Sequence, residues 1–322
     1  MGRIQSEIET LRSLSSSKIL SEIEKDCWLY RGAGQQGITG REIDLLVLAL
    51  THGNEVAGLP ILVQTLTDVL KKGSKLNIGF CLGNVTAALA GTRFVLSDLN
   101  RSFGLEAIQN TEEERARVIG HIMKRSMWAI DLHQTQTTSL EPFFISRFDQ
   151  KSYNLLRTLS DINFVTYFKP SFSSQGMTTI NYHLAHGGFG FGLELGTEGF
   201  CQKQVAFGCE LLVKMIDAIS NPRDKQFCVD DDSKALKVKK IFSANSSYLL
   251  RSDLANLTAV KKDEFIGHLD GDEIRAEEDS LVLFPKNSSA MMIRVDRKTE
   301  VLRLLQPVGK KIEKFESETV LM

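Results

Sequence analysis

Two histidines and a glutamate in this 322-residue chain have the spacing of metal ligands. His52 and Glu55 lie three residues apart in Thr51-His52-Gly53-Asn54-Glu55, where the apolar run Ile43 to Leu50 gives way to helical periodicity. Both side chains can converge on one point there. A second apolar run, Trp128 to Leu132, finishes as Asp131-Leu132-His133 and can bring another imidazole to the same edge. Two imidazoles and one carboxylate leave a tetrahedral zinc with an open position for water, the arrangement of hydrolytic sites, whereas structural zinc sites are closed. A lone H-x-x-E is also a common pattern, and a histidine at a strand end can simply be hydrogen-bonded.

Other residues add to the set. Between the ligand segments lies Gly91-Thr92-Arg93-Phe94-Val95-Leu96-Ser97-Asp98-Leu99-Asn100-Arg101-Ser102-Phe103. Its arginines and asparagine offer planar donors that suit a carboxylate or an oxyanion. Glu194 falls inside the apolar stretch Phe191-Gly192-Leu193-Glu194-Leu195-Gly196, where a carboxylate is costly unless paired or at work. Beside a zinc site it can accept a proton from water and pass it to a leaving nitrogen; Glu198 is the next candidate for that part.

The order H-G-N-E, G-T-R-F-x-x-x-D-L-N-R-x-F, D-L-H and L-E-L-G resembles the succinylglutamate desuccinylase and aspartoacylase family, a branch related to zinc carboxypeptidases, over roughly residues 40 to 200. The resemblance implies one zinc per chain on His52, Glu55 and His133, with Glu194 as the catalytic carboxylate. It further implies that Arg93 polarises the scissile carbonyl, that Asn100 and Arg101 grip the α-carboxylate of the substrate amino acid, and that a β-rich C-terminal domain covers the cleft. The activity it implies is hydrolysis of an N-acyl amino acid, a small-molecule substrate. The alternatives are a carboxypeptidase acting on short peptides and a non-catalytic relative that binds metal and ligand. Two departures stand out. Aspartoacylases use a further arginine shortly before the catalytic glutamate, but no arginine occurs here between Arg157 and Arg223, and Asn181, Tyr182, His183 and His186 stand in that stretch instead. They also use a tyrosine late in the second domain, whereas the only tyrosine after residue 182 is Tyr248.

The elements that must position these residues alternate. Strands are predicted at Ile43 to Leu50, Leu76 to Leu82, Trp128 to Leu132, Phe143 to Ser146 and Phe189 to Leu195. Helices are predicted at residues 5 to 25, Glu55 to Lys71, from a capping box at Thr111-x-x-Glu114 to about Arg125, and at Gln202 to Ile219. Such alternation predicts an α/β domain, residues 1–221, with a mixed, largely parallel sheet and helices on both faces. After Asn221-Pro222 and the acidic run Asp230-Asp231-Asp232, short β-like pieces predict a small all-β domain over 234–322. Gly32-Ala33-Gly34-Gln35-Gln36-Gly37 matches G-x-G-x-x-G, but a strand follows it where a dinucleotide site needs a helix, so a turn is expected.

Composition narrows the partners. Lysine plus arginine (39) nearly cancels aspartate plus glutamate (40), with no basic stripe, which argues against nucleic acid. No apolar run approaches a membrane span, and residues 1 to 25 lack a signal-peptide core. Five scattered cysteines point to buried thiols in a reducing compartment, and hence to a cytoplasmic protein. Homo-oligomers remain open.

Overall fold

The computed structural model describes residues 2–14, 19–32, 36–167, 176–222, 226–227, 233–286 and 292–308. It opens with helix α1 (Gly2–Leu14), which buries Ile4, Ile8 and Leu11 along one stripe. The helical spacing continues to residue 25 in sequence, but the structure ends the helix at Leu14 and forms an antiparallel pair, β1 (Leu20–Glu24) with β2 (Cys27–Arg31). Over five residues with a single fully inward leucine, helical and extended spacing are hard to tell apart.

The elements that follow are β3 (Ile43–Ala49), α2 (Gly58–Lys72), β4 (Asn77–Leu82), α3 (Val85–Ala90), α4 (Thr111–Lys124), β5 (Ser126–Thr135), β6 (Phe143–Arg147), α5 (Gln150–Leu159), β7 (Asn163–Tyr167), α6 (Thr179–Ala185), β8 (Phe189–Thr197) and α7 (Gln202–Ser220). Contacts divide the chain into two units. The first holds Met1–Gln134, Ile145–Asp161 and Lys169–Phe227, and the second holds Thr135–Phe144, Ile162–Phe168 and Cys228–Met322.

In the first unit the strands run in the order β1-β2-β4-β3-β5-β8-β6. β3 is parallel to β4 and β5 on either side and is buried at every position, which is why its sequence reads as a continuous apolar run. On one face, Ile119, Ile122 and Met123 of α4 and Ile180 of α6 pack with Leu46 and Leu48. On the other, Gly58 opens α2 so close to the sheet that a Cβ there would sit 2.8 Å from that of Ala49. Helices therefore cover both faces of a mixed sheet, and the α/β expectation holds.

Three local details differ from the sequence reading or explain it. The cap of α4 is Asn110, whose side chain accepts from Glu112 N and Glu113 N, so the helix is capped one residue earlier than the Thr111 box. This turns Glu112 inward. The glycines after β2 make no helix before β3; Gly37 instead abuts the buried Asp44 carboxylate, which also accepts from Thr39 N at 2.7 Å, while Ala33 to Gln35 lie outside the described residues. Cys27 and Cys81, expected as scattered thiols, bring their sulfurs into contact. They stand directly opposite in the β2–β4 register, a proximity that 54 residues of sequence separation conceals.

The second unit is rich in strands. They are β9 (Ala235–Ala244), β10 (Ser247–Leu250), β11 (Ala259–Val260), β12 (Phe265–Leu269), β13 (Asp272–Arg275), β14 (Ser280–Leu283), β15 (Ile293–Arg294) and β16 (Thr299–Pro307). β7, β9, β16, β14 and β11 are sheet neighbours in that order, and β13, β12, β10 and β15 form a separate four-stranded sheet. Asp270 and Gly271 both take positive φ between β12 and β13, the conformation a two-residue hairpin turn demands. Phe242, Tyr248, Ile266, Val282 and Leu302 belong to the apolar core of this unit. Among the described residues of the whole chain, no helix is long and apolar enough to cross a membrane.

Candidate metal centre

The site is built at the carboxyl end of β3, where parallel strands deliver side chains to one edge. The backbone leaves the strand sharply: Leu50 takes a positive φ of 58°, a strained setting for a branched residue. Gly53 follows, and a Cβ there would lie 2.3 Å from the backbone of Ala87 and Ala88. Only glycine lets the turn press against α3, and Gly53 N then donates to Arg93 O at 2.9 Å. Glu55 stays in the turn before α2. Its neighbour Ala57, at the N-cap, donates its N–H to Gln134 Oε1 at 2.9 Å, a cap supplied from β5.

This turn brings together the three expected ligands, all buried, with one ligand atom from each within 4.8 Å of the others. His52 Nδ1 lies 2.7 Å from Glu55 Oε1, and His133 Nδ1 lies 2.8 Å from Glu55 Oε2. His133 is inside β5, two residues before its end, because the strand runs on to Thr135 and does not end at Leu132. Burial pushes the Glu55 pKa up, but the two imidazoles outweigh it and hold the carboxyl well below its ordinary value.

Both imidazoles also have a carboxylate on the far side. Asp98 Oδ1 is 3.1 Å from His52 Nε2, and Asp131 Oδ2 is 2.9 Å from His133 Nε2. Asp131 is itself fixed by Thr51 Oγ1 at 2.8 Å and Thr179 Oγ1 at 2.5 Å. At His133 a carboxylate accepting the outer N–H leaves the inner Nδ1 lone pair for a metal, whereas the outer nitrogen of His52 is shared between Asp98 and Arg93. The donor set fits a divalent cation, because the Nδ1 atoms of both imidazoles face the two oxygens of the Glu55 carboxylate. The sequence reading assigned no part to Asp98 or Asp131. The signal for Asp131 was present, since residues i and i+2 of a strand share a face.

Arg93 stands against the ligands, its NH1 2.8 Å from Glu55 Oε1 and its NH2 2.8 Å from His52 Nε2. Asn100 and Arg101 sit in the short 3₁₀ turn Leu99–Arg101. Asn100 Oδ1 accepts from Thr179 N at 2.9 Å, and Arg101 NH1 donates to Asn100 O at 2.6 Å. On β8, Gly192 lies close enough to His133 that an added Cβ would be 3.8 Å from its ring, and Glu194 shares that face two residues on. Glu194 Oε2 is buried without a hydrogen-bond partner among the described residues. Burial raises its pKa to about 7, with Glu55 adding to the rise and His133, His52 and Arg93 opposing it. Glu198 is exposed and accepts from Asn54 Nδ2 at 2.5 Å.

Of the two histidines that stand in place of the further arginine, His183 does not supply a cation. His183 is fully buried in α6 with its Nε2 3.3 Å from Met127 O, and burial lowers its pKa to about 4. His186 Nδ1 pairs with Tyr182 O at 2.8 Å.

Residues 41–219 match the succinylglutamate desuccinylase/aspartoacylase catalytic domain. A probable aspartoacylase from Nostoc sp. is 32% identical over 161 residues, covering 45% of this chain and 52% of that protein. A succinylglutamate desuccinylase from Ectopseudomonas mendocina is 27% identical over 228 residues, covering 66% of each. The chain thus spans about half to two thirds of the length of these curated relatives. The crystal structure of the succinylglutamate desuccinylase from Chromobacterium violaceum superposes with a TM-score of 0.69 at 19% identity, over 96% of this chain and 98% of that one, which shows a shared fold. Since the matched domain takes in more than half of the chain, including every residue of the candidate centre, the protein belongs to the succinylglutamate desuccinylase/aspartoacylase family.

Proposed function

We propose that the protein is a zinc-dependent deacylase that hydrolyses the amide bond of an N-acyl amino acid. The observation that carries this reading is the convergence of His52, Glu55 and His133 next to a buried carboxylate, Glu194, whose Oε2 has no partner among the described residues. His52, Glu55 and His133 would hold the zinc, which when bound would supply Lewis acidity that lowers the pKa of water and polarises a carbonyl. Glu194 takes the proton of the attacking water at its carboxylate and returns it to the leaving nitrogen, a role that its pKa near 7 suits. Arg93 presents N–H donors to the carbonyl oxygen as negative charge gathers there. Thr179 binds Asn100 Oδ1 and so orients the side-chain amide, whose Nδ2 with Arg101 meets the α-carboxylate of the substrate. Water adds across the C–N bond, giving a carboxylic acid and a free amino acid.

The amino acid is neutral or polar on this reading. A second, side-chain carboxylate needs a buried cation, and the stretch before Glu194 has no arginine and a neutral His183. The test is a panel of N-acetyl, N-formyl and N-succinyl amino acids and dipeptides with the zinc-loaded protein above about pH 7.5, where an ordinary imidazole is mostly neutral. Neutral N-acyl amino acids should give the highest kcat/KM. A maximum for N-acetylaspartate contradicts the side-chain assignment, and a maximum for dipeptides contradicts the deacylase reading.

A further inference from the structure

We infer that Glu112, at the first turn of α4, is the positioning residue that fixes the segment carrying Arg93. This rests on the proposed role of Arg93 at the scissile carbonyl. The segment from Phe94 to Leu96 buries none of its apolar side chains fully: Phe94, Val95 and Leu96 are 41%, 47% and 65% exposed. Its hold on the rest of the unit is polar. Gly53 N donates to Arg93 O at one end, and Ser97 Oγ reaches Asn110 Oδ1 at 3.0 Å at the other.

Between those ends the backbone converges on one oxygen. Glu112 Oε1 accepts from Val95 N at 2.7 Å, from Leu96 N at 3.2 Å and from Asn84 Nδ2 at 3.2 Å, while Thr111 Oγ1 satisfies Oε2 at 3.1 Å. Asn84 is also the N-cap of α3, the helix that Gly53 presses against. A single buried carboxylate therefore ties the Arg93 segment to the helix that backs the His52 turn. Its charge is met by N–H and O–H donors and by the positive end of α4, a 14-residue helix. Take the carboxylate away and two backbone N–H groups lose their acceptor next to exposed side chains, so the segment loosens and the guanidinium loses its alignment over Glu55 and His52.

The test is a double-mutant cycle on kcat with the zinc-loaded protein, using the best substrate of the acyl amino acid panel, together with metal content and amide hydrogen exchange of Val95 and Leu96. Glu112→Ala should keep zinc, leave KM within about threefold and lower kcat by ~10- to 10²-fold, the scale of a misplaced catalytic group. Glu112→Gln, which keeps an acceptor but not the charge, should recover part of the loss. In an Arg93→Ala background the same change should lower kcat by less than about twofold, because residues acting through one another are not additive. Exchange at Val95 and Leu96 should speed up in both Glu112 variants. Equal losses of kcat in the two backgrounds, or unchanged exchange, overturn the inference. A near-normal kcat for Arg93→Ala alone instead overturns the role of Arg93 and with it the purpose assigned to Glu112. If Glu112→Ala does not fold, Glu112→Gln runs the same cycle.

Discussion

Asp131 and His133 share one face of β5, with Oδ2 of the first 2.9 Å from Nε2 of the second. Thr51 and Thr179 hold the carboxylate in place, so the ring nitrogen that faces Glu55 is set by groups outside the ligand set. Asp131→Ala should weaken zinc binding by ~10- to 10²-fold, the usual cost of removing such a partner. Competition with a chelator of known affinity measures this. An unchanged zinc dissociation constant would show that the imidazole needs no help from Asp131.

Glu194→Gln should retain zinc and substrate affinity while kcat falls by ~10²-fold or more, as expected for loss of a positioned proton carrier. The wild-type profile should carry the same signature. Glu194 must be ionised to accept a proton, its pKa is raised to about 7 by burial, and a bound cation pulls that value down. kcat/KM should therefore fall on the acid side with a limb at or below about pH 7, by about tenfold per pH unit. A limb that persists unchanged in the residual activity of Glu194→Gln assigns it to another group, with Glu198 the next to examine.

Stability should depend on pH through His183. Its folded pKa is lowered by burial to about 4, below the ordinary 6.5, so between those values the unfolded chain binds a proton that the folded one does not. The contribution is complete above pH 6.5 and is lost as pH falls towards 4, by roughly 3 kcal/mol in all. Urea unfolding of His183→Gln, whose side chain does not titrate, should show a shallower pH dependence between 4.5 and 6.5 than the wild type. Equal slopes would mean that the ring is protonated in the fold.

The convergence of His52, Glu55 and His133 was legible because each follows or ends an apolar run, and strand ends are where such sheets place their sites. The α/β alternation was legible for the same reason, since the fully buried β3 advertises itself in its composition. The partners of the ligands were not. Asp98 reaches His52 over 46 residues and Gln134 reaches Ala57 over 77, and neither distance leaves a periodic trace. Helix α6 is only seven residues long, too short for periodicity to define it, so the burial of His183 appeared only with the fold. The proximity of Cys27 and Cys81 depended in the same way on strand register. Glu112 looked like one of three acidic residues at a helix start; only the cap at Asn110 reveals that it turns inward.

The central claim is that His52, Glu55 and His133 hold a catalytic zinc. Elemental analysis of wild type, His52→Ala and His133→Ala after zinc loading and desalting, with circular dichroism as a control for folding, tests it most directly. The expected result is about one zinc per chain in the wild type and loss of both zinc and amide hydrolysis in the two folded variants, since each lacks one of three protein ligands. Undiminished zinc in both variants would contradict the account.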